Sequence, residues 1–278
     1  MTKNSKAIYS ICFSLLLSAQ SATAVELCGN LAQGEFIKGK AEPDSHVYVS
    51  DKELRTLPDG TFIFALGRDA EPQLDLQITE GEELKDYPLT IKETAWDVQK
   101  INGVAPRKVT PTDKDLHKIN VEREDIHRAL ARQTTTAYWQ KGFIMPVKGR
   151  TSGNFGGQRI MNGQKKSPHQ GMDIAAPENS PVYASSDGVV TLSGGDYFYS
   201  GNVVVLDHGQ NLSTIYAHLK STTVKKGDIV KQGDIIGHVG KTGRATGPHL
   251  HWGASLNDVR FQPLSLLKIG DNNFCSNL

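Results

Sequence analysis

Short apolar runs separated by turn residues dominate this chain, and they fall into two groups with a helical stretch between them. In the first group, Val47-Tyr48-Val49, Thr61-Phe62-Ile63-Phe64-Ala65-Leu66 and Leu74-Asp75-Leu76-Gln77-Ile78 read as strands. Pro43-Asp44, Pro58-Asp59-Gly60 and Glu80-Gly81 punctuate them as turns, so residues 25–100 predict a small β-sandwich-like accessory domain. Pro106 and Pro111 then mark a boundary. Thr112 followed by Asp115 resembles a helix start, and Leu116, Ile119, Ile126 and Leu130 fall near helical spacing, which predicts one helix over about 113–133 inside a 101–140 linker. From Phe143 onward the pattern is β again. Val182-Tyr183-Ala184, Gly188-Val189-Val190-Thr191-Leu192, Asn202-Val203-Val204-Val205-Leu206 and Thr214-Ile215-Tyr216-Ala217-His218 alternate with Gly- and Asp-rich turns. The fold class is therefore mainly β: an N-terminal sandwich, a connecting helix, and a C-terminal domain of antiparallel sheet over 141–270 with a tail at 271–278.

The first residues have a different pattern. Lys3 and Lys6 precede an apolar stretch from Ala7 to Leu17, and Ala22-Thr23-Ala24 has the small-x-small form of a cleavage site. Eleven apolar residues are fewer than the roughly 20 that span a bilayer, so 1–24 predict a cleaved signal peptide and export to a periplasm or the exterior, with no stable membrane anchor afterwards. Leu27 before Cys28 does not suit a lipoprotein signal. Cleavage removes Cys12 and leaves Cys28 and Cys275, an even pair expected to form a disulfide in an oxidising compartment. Charge is uneven although the whole chain is close to neutral: residues 25–100 hold 8 Lys/Arg against 16 Asp/Glu, and residues 141–278 hold 14 against 9. An acidic front domain could dock on the basic rear one and partly cover it. The glycines of the rear domain are not followed by Gly-Lys-Ser/Thr, so they form no phosphate cradle, and nothing in charge or motif calls for nucleic acid.

Candidate chemistry comes from two motifs, His169-Gln170-Gly171-Met172-Asp173 and Gly247-Pro248-His249-Leu250-His251-Trp252, some 80 residues apart. Imidazole nitrogen and carboxylate oxygen both ligate zinc, and two His with one Asp leave a coordination position open, as in catalytic rather than structural sites. In a strand His249 and His251 share a face, so one can bind metal while the other stands beside it as acid or base. The remaining histidines read differently. His46, His117 and His127 are expected in solvent, and His208 and His238 in structural or solvent-facing turns. Trp252, Tyr216, Tyr197 and Tyr199 could line a groove or pack inside.

At these residues the chain resembles the lysostaphin/LytM-type zinc metallopeptidases of bacterial cell walls. The likeness runs from about Gly142 to Leu267. It includes Ser152-Gly153-Asn154-Phe155-Gly156, Pro168 to Pro177, Val205-Leu206-Asp207-His208-Gly209, Thr214 to Leu219, and Val239 to His251. The resemblance implies a LytM-type peptidase domain with one zinc on His169, Asp173 and His251, and with His218 and His249 as catalytic histidines. The implied activity is hydrolysis of peptide cross-links in peptidoglycan stem peptides by a metal-activated water. The base and the oxyanion or leaving-group partner are left open between His218 and His249. A silent wall-binding or amidase-activating protein of the same fold is the alternative, against which all five positions are filled. A carrier-domain reading of the Val224 to Gly240 hairpins has no use for clustered histidines.

Overall fold

The computed structural model describes residues 25–132, 134–269 and 275–277; the signal peptide expected at 1–24 lies outside them. Two four-stranded sheets make the N-terminal sandwich. One runs Cys275–Asn277, Glu26–Cys28, Phe36–Lys40, Thr61–Ala65, and the other Lys52–Leu54, Val47–Val49, Gln73–Glu80, Glu83–Thr90. Their facing residues, among them Leu27, Ile37, Phe62, Phe64, Leu76 and Ile78, form one buried cluster. The three runs read as strands from the sequence are strands. The segment read as a tail contributes one as well: Cys275–Asn277 pairs antiparallel with Glu26–Cys28, and Cys28 is disulfide-bonded to Cys275 across that pair. That edge pairing joins the two ends of the described chain.

The connecting helix covers Asp113–Leu130. Thr112 caps it by accepting from the Asp115 amide while the Asp115 carboxylate receives the Thr112 amide, a reciprocal box that satisfies two otherwise orphan donors. The helix is not a free linker. Ala129 and Leu130, with Ile126, pack on Val203, Val205, Ile215 and Ala217 of the C-terminal sheet. Its polar side is tied to the hairpin around residues 196–198: Glu122 accepts from the Phe198 amide at 2.7 Å, Lys118 donates to the Asp196 carbonyl at 3.0 Å, and Asp125 accepts from the Tyr197 hydroxyl.

The C-terminal domain is built on a ten-stranded sheet whose main path is Ile229–Val230, Gly188–Tyr197, Gly201–Asp207, Leu212–Thr222, His249–Leu256, Met172–Ala175, Arg150–Gly153. One face buries Ile174, Val204, Leu206, Tyr216, Leu250 and Trp252, and the opposite face is partly covered by the helix. Burial on both faces explains why Val203 to Leu206 read as a continuous apolar run instead of an alternation. The last strand of the front domain meets the C-terminal domain in a separate three-stranded sheet, Gln164–Lys165, Gln158–Met161, Val98–Ile101. Val98–Ile101 pairs in parallel with Gln158–Met161, across the boundary expected at residue 100.

His208 is fully buried in the core. Its Nδ1–H donates to the Asp187 carbonyl at 2.6 Å, and Nε2 meets the Thr214 hydroxyl at 2.7 Å. Burial, opposed by the bond to Asp187, pushes its pKa down to about 4. A base whose folded pKa lies below its unfolded value of about 6.5 contributes stability that is complete above pH 6.5 and lost as pH falls toward 4, roughly 3 kcal/mol in all. The His208 ring is expected to stay neutral down to about pH 4 in an NMR titration. Titration near 6.5 would show that the ring is not sealed from water.

Candidate active site and metal centre

Strand pairing assembles the site. Asp173 lies directly opposite His251 in the Met172–Ala175 and His249–Leu256 pair, and Ala217 lies opposite His251 on the other side. Opposed residues in an antiparallel pair project from one face with Cβ atoms about 5 Å apart, so Asp173 and His251 meet without any distortion. His249 shares that face through the period of two, and its Nε2 stands 3.8 Å from Asp173 Oδ1. His169 enters from the loop four residues before Asp173. Gly171 makes this close approach feasible, because a Cβ there would sit 2.8 Å from the His251 ring and 2.6 Å from the Trp252 carbonyl.

His218 reaches the cluster by a different route. Its backbone has φ 62°, in the left-handed region that non-glycine residues rarely enter, at a place where the pairing register of its strand shifts. The ring is thereby aimed at its neighbours, with centroids 4.6 Å from His249 and 6.0 Å from His251. All five residues singled out in the sequence are brought together. Of the four aromatic candidates, Tyr197 and Tyr199 line the adjoining cleft, while Trp252 and Tyr216 are fully buried.

His169, Asp173 and His251 could hold a metal, and the donor set fits one. His169 Nδ1–H donates to the Asn154 carbonyl at 2.9 Å, which leaves Nε2 as a bare lone pair. That lone pair faces His251 Nδ1 at 3.0 Å and Asp173 Oδ1 at 3.1 Å, and His251 Nδ1 is 2.9 Å from the same oxygen. Three acceptor atoms converge with at most one proton among them, an arrangement a cation relieves. Ligands at roughly 2.0–2.1 Å from a tetrahedral zinc stand about 3.3 Å apart, close to these separations. Burial lowers the pKa of His169, and lowers that of His251 to about 4, so both imidazoles are neutral at neutral pH. Burial alone would raise Asp173, but its hydrogen bonds with His169 and His251 hold it well below the carboxylate range. Two neutral imidazoles and one carboxylate suit a divalent ion of borderline softness. His218 is also held well below 6.5, first by burial and then by the neighbouring His249 and His251.

Sequence reasoning missed the outer contacts. Arg159 donates to Asp173 Oδ2 at 2.9 Å and so orients the carboxylate. The Asn154 carbonyl that fixes His169 also accepts from Gln99 Nε2 at 3.0 Å, and Asn154 Nδ2 donates to Asp97 at 3.3 Å. Gln99 and Asp97 belong to the front domain. The expected covering of the site by residues 25–100 is accordingly replaced by another arrangement: that domain braces the far side of the site, and none of its described residues lines the cleft. The cleft, about 710 Å³, runs over the uncovered part of the sheet face past His218 and His251, and the helix residues Ile119, Glu122, Arg123 and Ile126 form its opposite wall. Outer-shell contacts typically carry 10–100-fold in metal affinity. Arg159→Gln is expected to weaken metal binding by about that factor in a competitive chelator titration, and an unchanged affinity would remove Arg159 from the support of the site.

Residues 167–263 match the model of peptidase family M23. Over that stretch the chain is similar to this family. It is 39% identical over 146 residues to the peptidoglycan DD-endopeptidase ShyA of Vibrio cholerae, covering 52% of this chain and 31% of that protein. It is 46% identical over 98 residues to the DD-carboxypeptidase/endopeptidase Mpg of Neisseria meningitidis, covering 35% and 22%. The matches thus span between a fifth and a third of the length of these curated relatives. A crystal structure from Pseudomonas aeruginosa, described as a candidate M23 peptidase, superposes with a TM-score of 0.67 at 26% identity over 86% of this chain and 95% of that one.

Proposed function

We propose that this protein is an exported zinc endopeptidase that hydrolyses peptide cross-links of bacterial peptidoglycan. One observation carries the reading: three ligating atoms converge within 3.1 Å while two further imidazoles stand at the same spot beside an open cleft. Zinc on His169, Asp173 and His251 would supply Lewis acidity toward water and toward a peptide carbonyl. The rest is the work of the chain's own side chains. His249 donates Nδ1–H to the Gly247 carbonyl at 2.9 Å, so its Nε2 lone pair is free to accept a proton beside Asp173. His218 donates Nδ1–H to the Thr242 carbonyl at 2.8 Å and likewise keeps Nε2 free. A neutral His218 has no proton on Nε2 to give, so His249, whose Nε2 lies 3.8 Å from Asp173 Oδ1, takes the proton from water and passes it to the departing amine. Both rings are oriented by carbonyls of the chain's own backbone. Export is supported by the Cys28–Cys275 disulfide, which persists in oxidising compartments. Among the described residues no helix is long and apolar enough to cross a membrane.

Purified full-length protein, with metal content measured, is incubated with sacculi and the products are identified by mass. Loss of cross-linked dimers with about one zinc per chain is the expected result. Binding to sacculi without any released product would sink the peptidase reading in favour of a silent wall-binding protein.

A further inference from the structure

The cleft beside the histidine cluster is rich in cations, and most of them are already committed. Arg159 serves Asp173. Lys166 donates to the Val109 carbonyl at 2.8 Å and to Gln164 Oε1 at 2.9 Å. Arg244 lies on the face of Tyr199, 4.1 Å from the ring centroid. The one acid in the lining, Glu122, accepts from the Phe198 amide.

Arg123 is exposed on the helix wall, and Arg260, half-buried, stands apart. It is the middle residue of the edge strand Val259–Phe261, opposite Ser255 in the neighbouring strand. Phe261 is fully buried and packs on Phe36 of the front domain, with centroids 5.6 Å apart. Alternation therefore turns Arg260 to the other face, where it lines the cleft. Among the described residues its guanidinium has no hydrogen bond, no carboxylate within 4.0 Å and no aromatic face. Asp258, the acid that attracts it, is exposed and meets His127 at 3.3 Å. Burial lowers its pKa to about 10, which still leaves it charged at neutral pH. A half-buried, partly desolvated cation without a partner is stabilised when an anion enters the cleft. The planar fork of a guanidinium matches a carboxylate with two parallel hydrogen bonds.

We propose that Arg260 is a specificity-determining residue that binds a free carboxylate of the peptide substrate. Ser255 is four residues from His251, roughly 13 Å along the strand, or about the length of four extended residues. The anchored carboxylate thus lies a few residue-lengths from the bond being cut. An ordinary peptide offers only amides at such interior positions. A peptide joined through side-chain carboxyl and side-chain amino groups keeps its α-carboxylates free there, and Arg260 selects that class. The inference rests on the peptidase reading for its substrate, but binding can be measured apart from cleavage.

The test uses cross-linked muropeptide dimers with free carboxylates and the same dimers fully amidated. Binding is measured by calorimetry on the full chain carrying His249→Ala, with and without Arg260→Gln, and turnover on chains that keep His249. The acid dimer is expected to bind about 10–100-fold more tightly than the amide. Arg260→Gln should bring the acid to the amide's level, leave the amide unchanged, and appear in KM with kcat nearly constant. Equal binding of acid and amide by the parent chain overturns the proposal, as does a preference that survives Arg260→Gln. Equal weakening of both dimers by that substitution would instead assign Arg260 a packing role. Cleavage without preference defeats this proposal and leaves the peptidase reading standing. Preferential binding without any cleavage does the reverse.

Discussion

Replacing Asp173 with Ala is expected to release the metal and end hydrolysis together. The carboxylate Oδ1 is the atom on which both imidazoles converge, at 2.9 Å from His251 Nδ1 and 3.1 Å from His169 Nε2. Without it two neutral nitrogens remain, which is too few for a stable protein zinc site. Oδ2 is the hydrogen-bonded partner of Arg159, whose side chain is only 15% exposed and whose Nε already has no partner. The substitution therefore also leaves a guanidinium buried and unpaired, a change that costs about 3–5 kcal/mol where it has been measured in protein interiors. Metal analysis should find zinc well below stoichiometry, and sacculus digestion should fall by at least about 10³-fold, the scale of losing metal activation of water. A lower melting temperature should accompany both. Asp173→Asn keeps the shape and can still face Arg159, so it separates the two effects: metal lost, fold retained. Full zinc occupancy in either variant would mean that another residue completes the site.

Removal of His218 or His249 should give the opposite pairing, metal retained and turnover lost. Neither ring belongs to the converging triad of donor atoms, yet His249 Nε2 is 3.8 Å from Asp173 and the two ring centroids are 4.6 Å apart. General acid–base help is worth about 10²–10⁴-fold, and each variant is expected to lose turnover in that range with zinc near one per chain. For His218 the substitution is best made to Asn. Its backbone sits at φ 62°, which Asn tolerates better than most side chains, so loss of chemistry is not confused with loss of the local turn. Wild-type turnover in His218→Asn or His249→Ala would remove that residue from the mechanism. Loss of zinc in His249→Ala would instead make it a ligand.

The difference between these five residues and the rest of the site reflects how far each contact is encoded locally. His249 and His251 share a face because strands have a period of two, and His169 and Asp173 lie within one short motif. Thr112 and Asp115 form their box across three residues. Such relations survive in one dimension, so the motifs, the strand runs and the helix start were all legible. The even pair of cysteines was legible too, and the disulfide joins Cys28 to Cys275.

Contacts between distant segments were not. Nothing near His218 in the sequence announces its left-handed backbone, which depends on strand registers shifting on both sides of it. Arg159 and Gln99 look like ordinary surface residues until Val98–Ile101 pairs with Gln158–Met161 and sets both against the site. The charge asymmetry was real, but net charge has no direction in space. It suggested that the front domain covers the cleft, whereas packing put the connecting helix there and the front domain behind His169. By itself, then, the sequence picked out the five residues that the fold brings together and the short elements that hold them, because period and capping are local. Only the tertiary structure decided what orients those residues, what walls the cleft and where Arg260 points, because these follow from pairings between segments far apart in the chain.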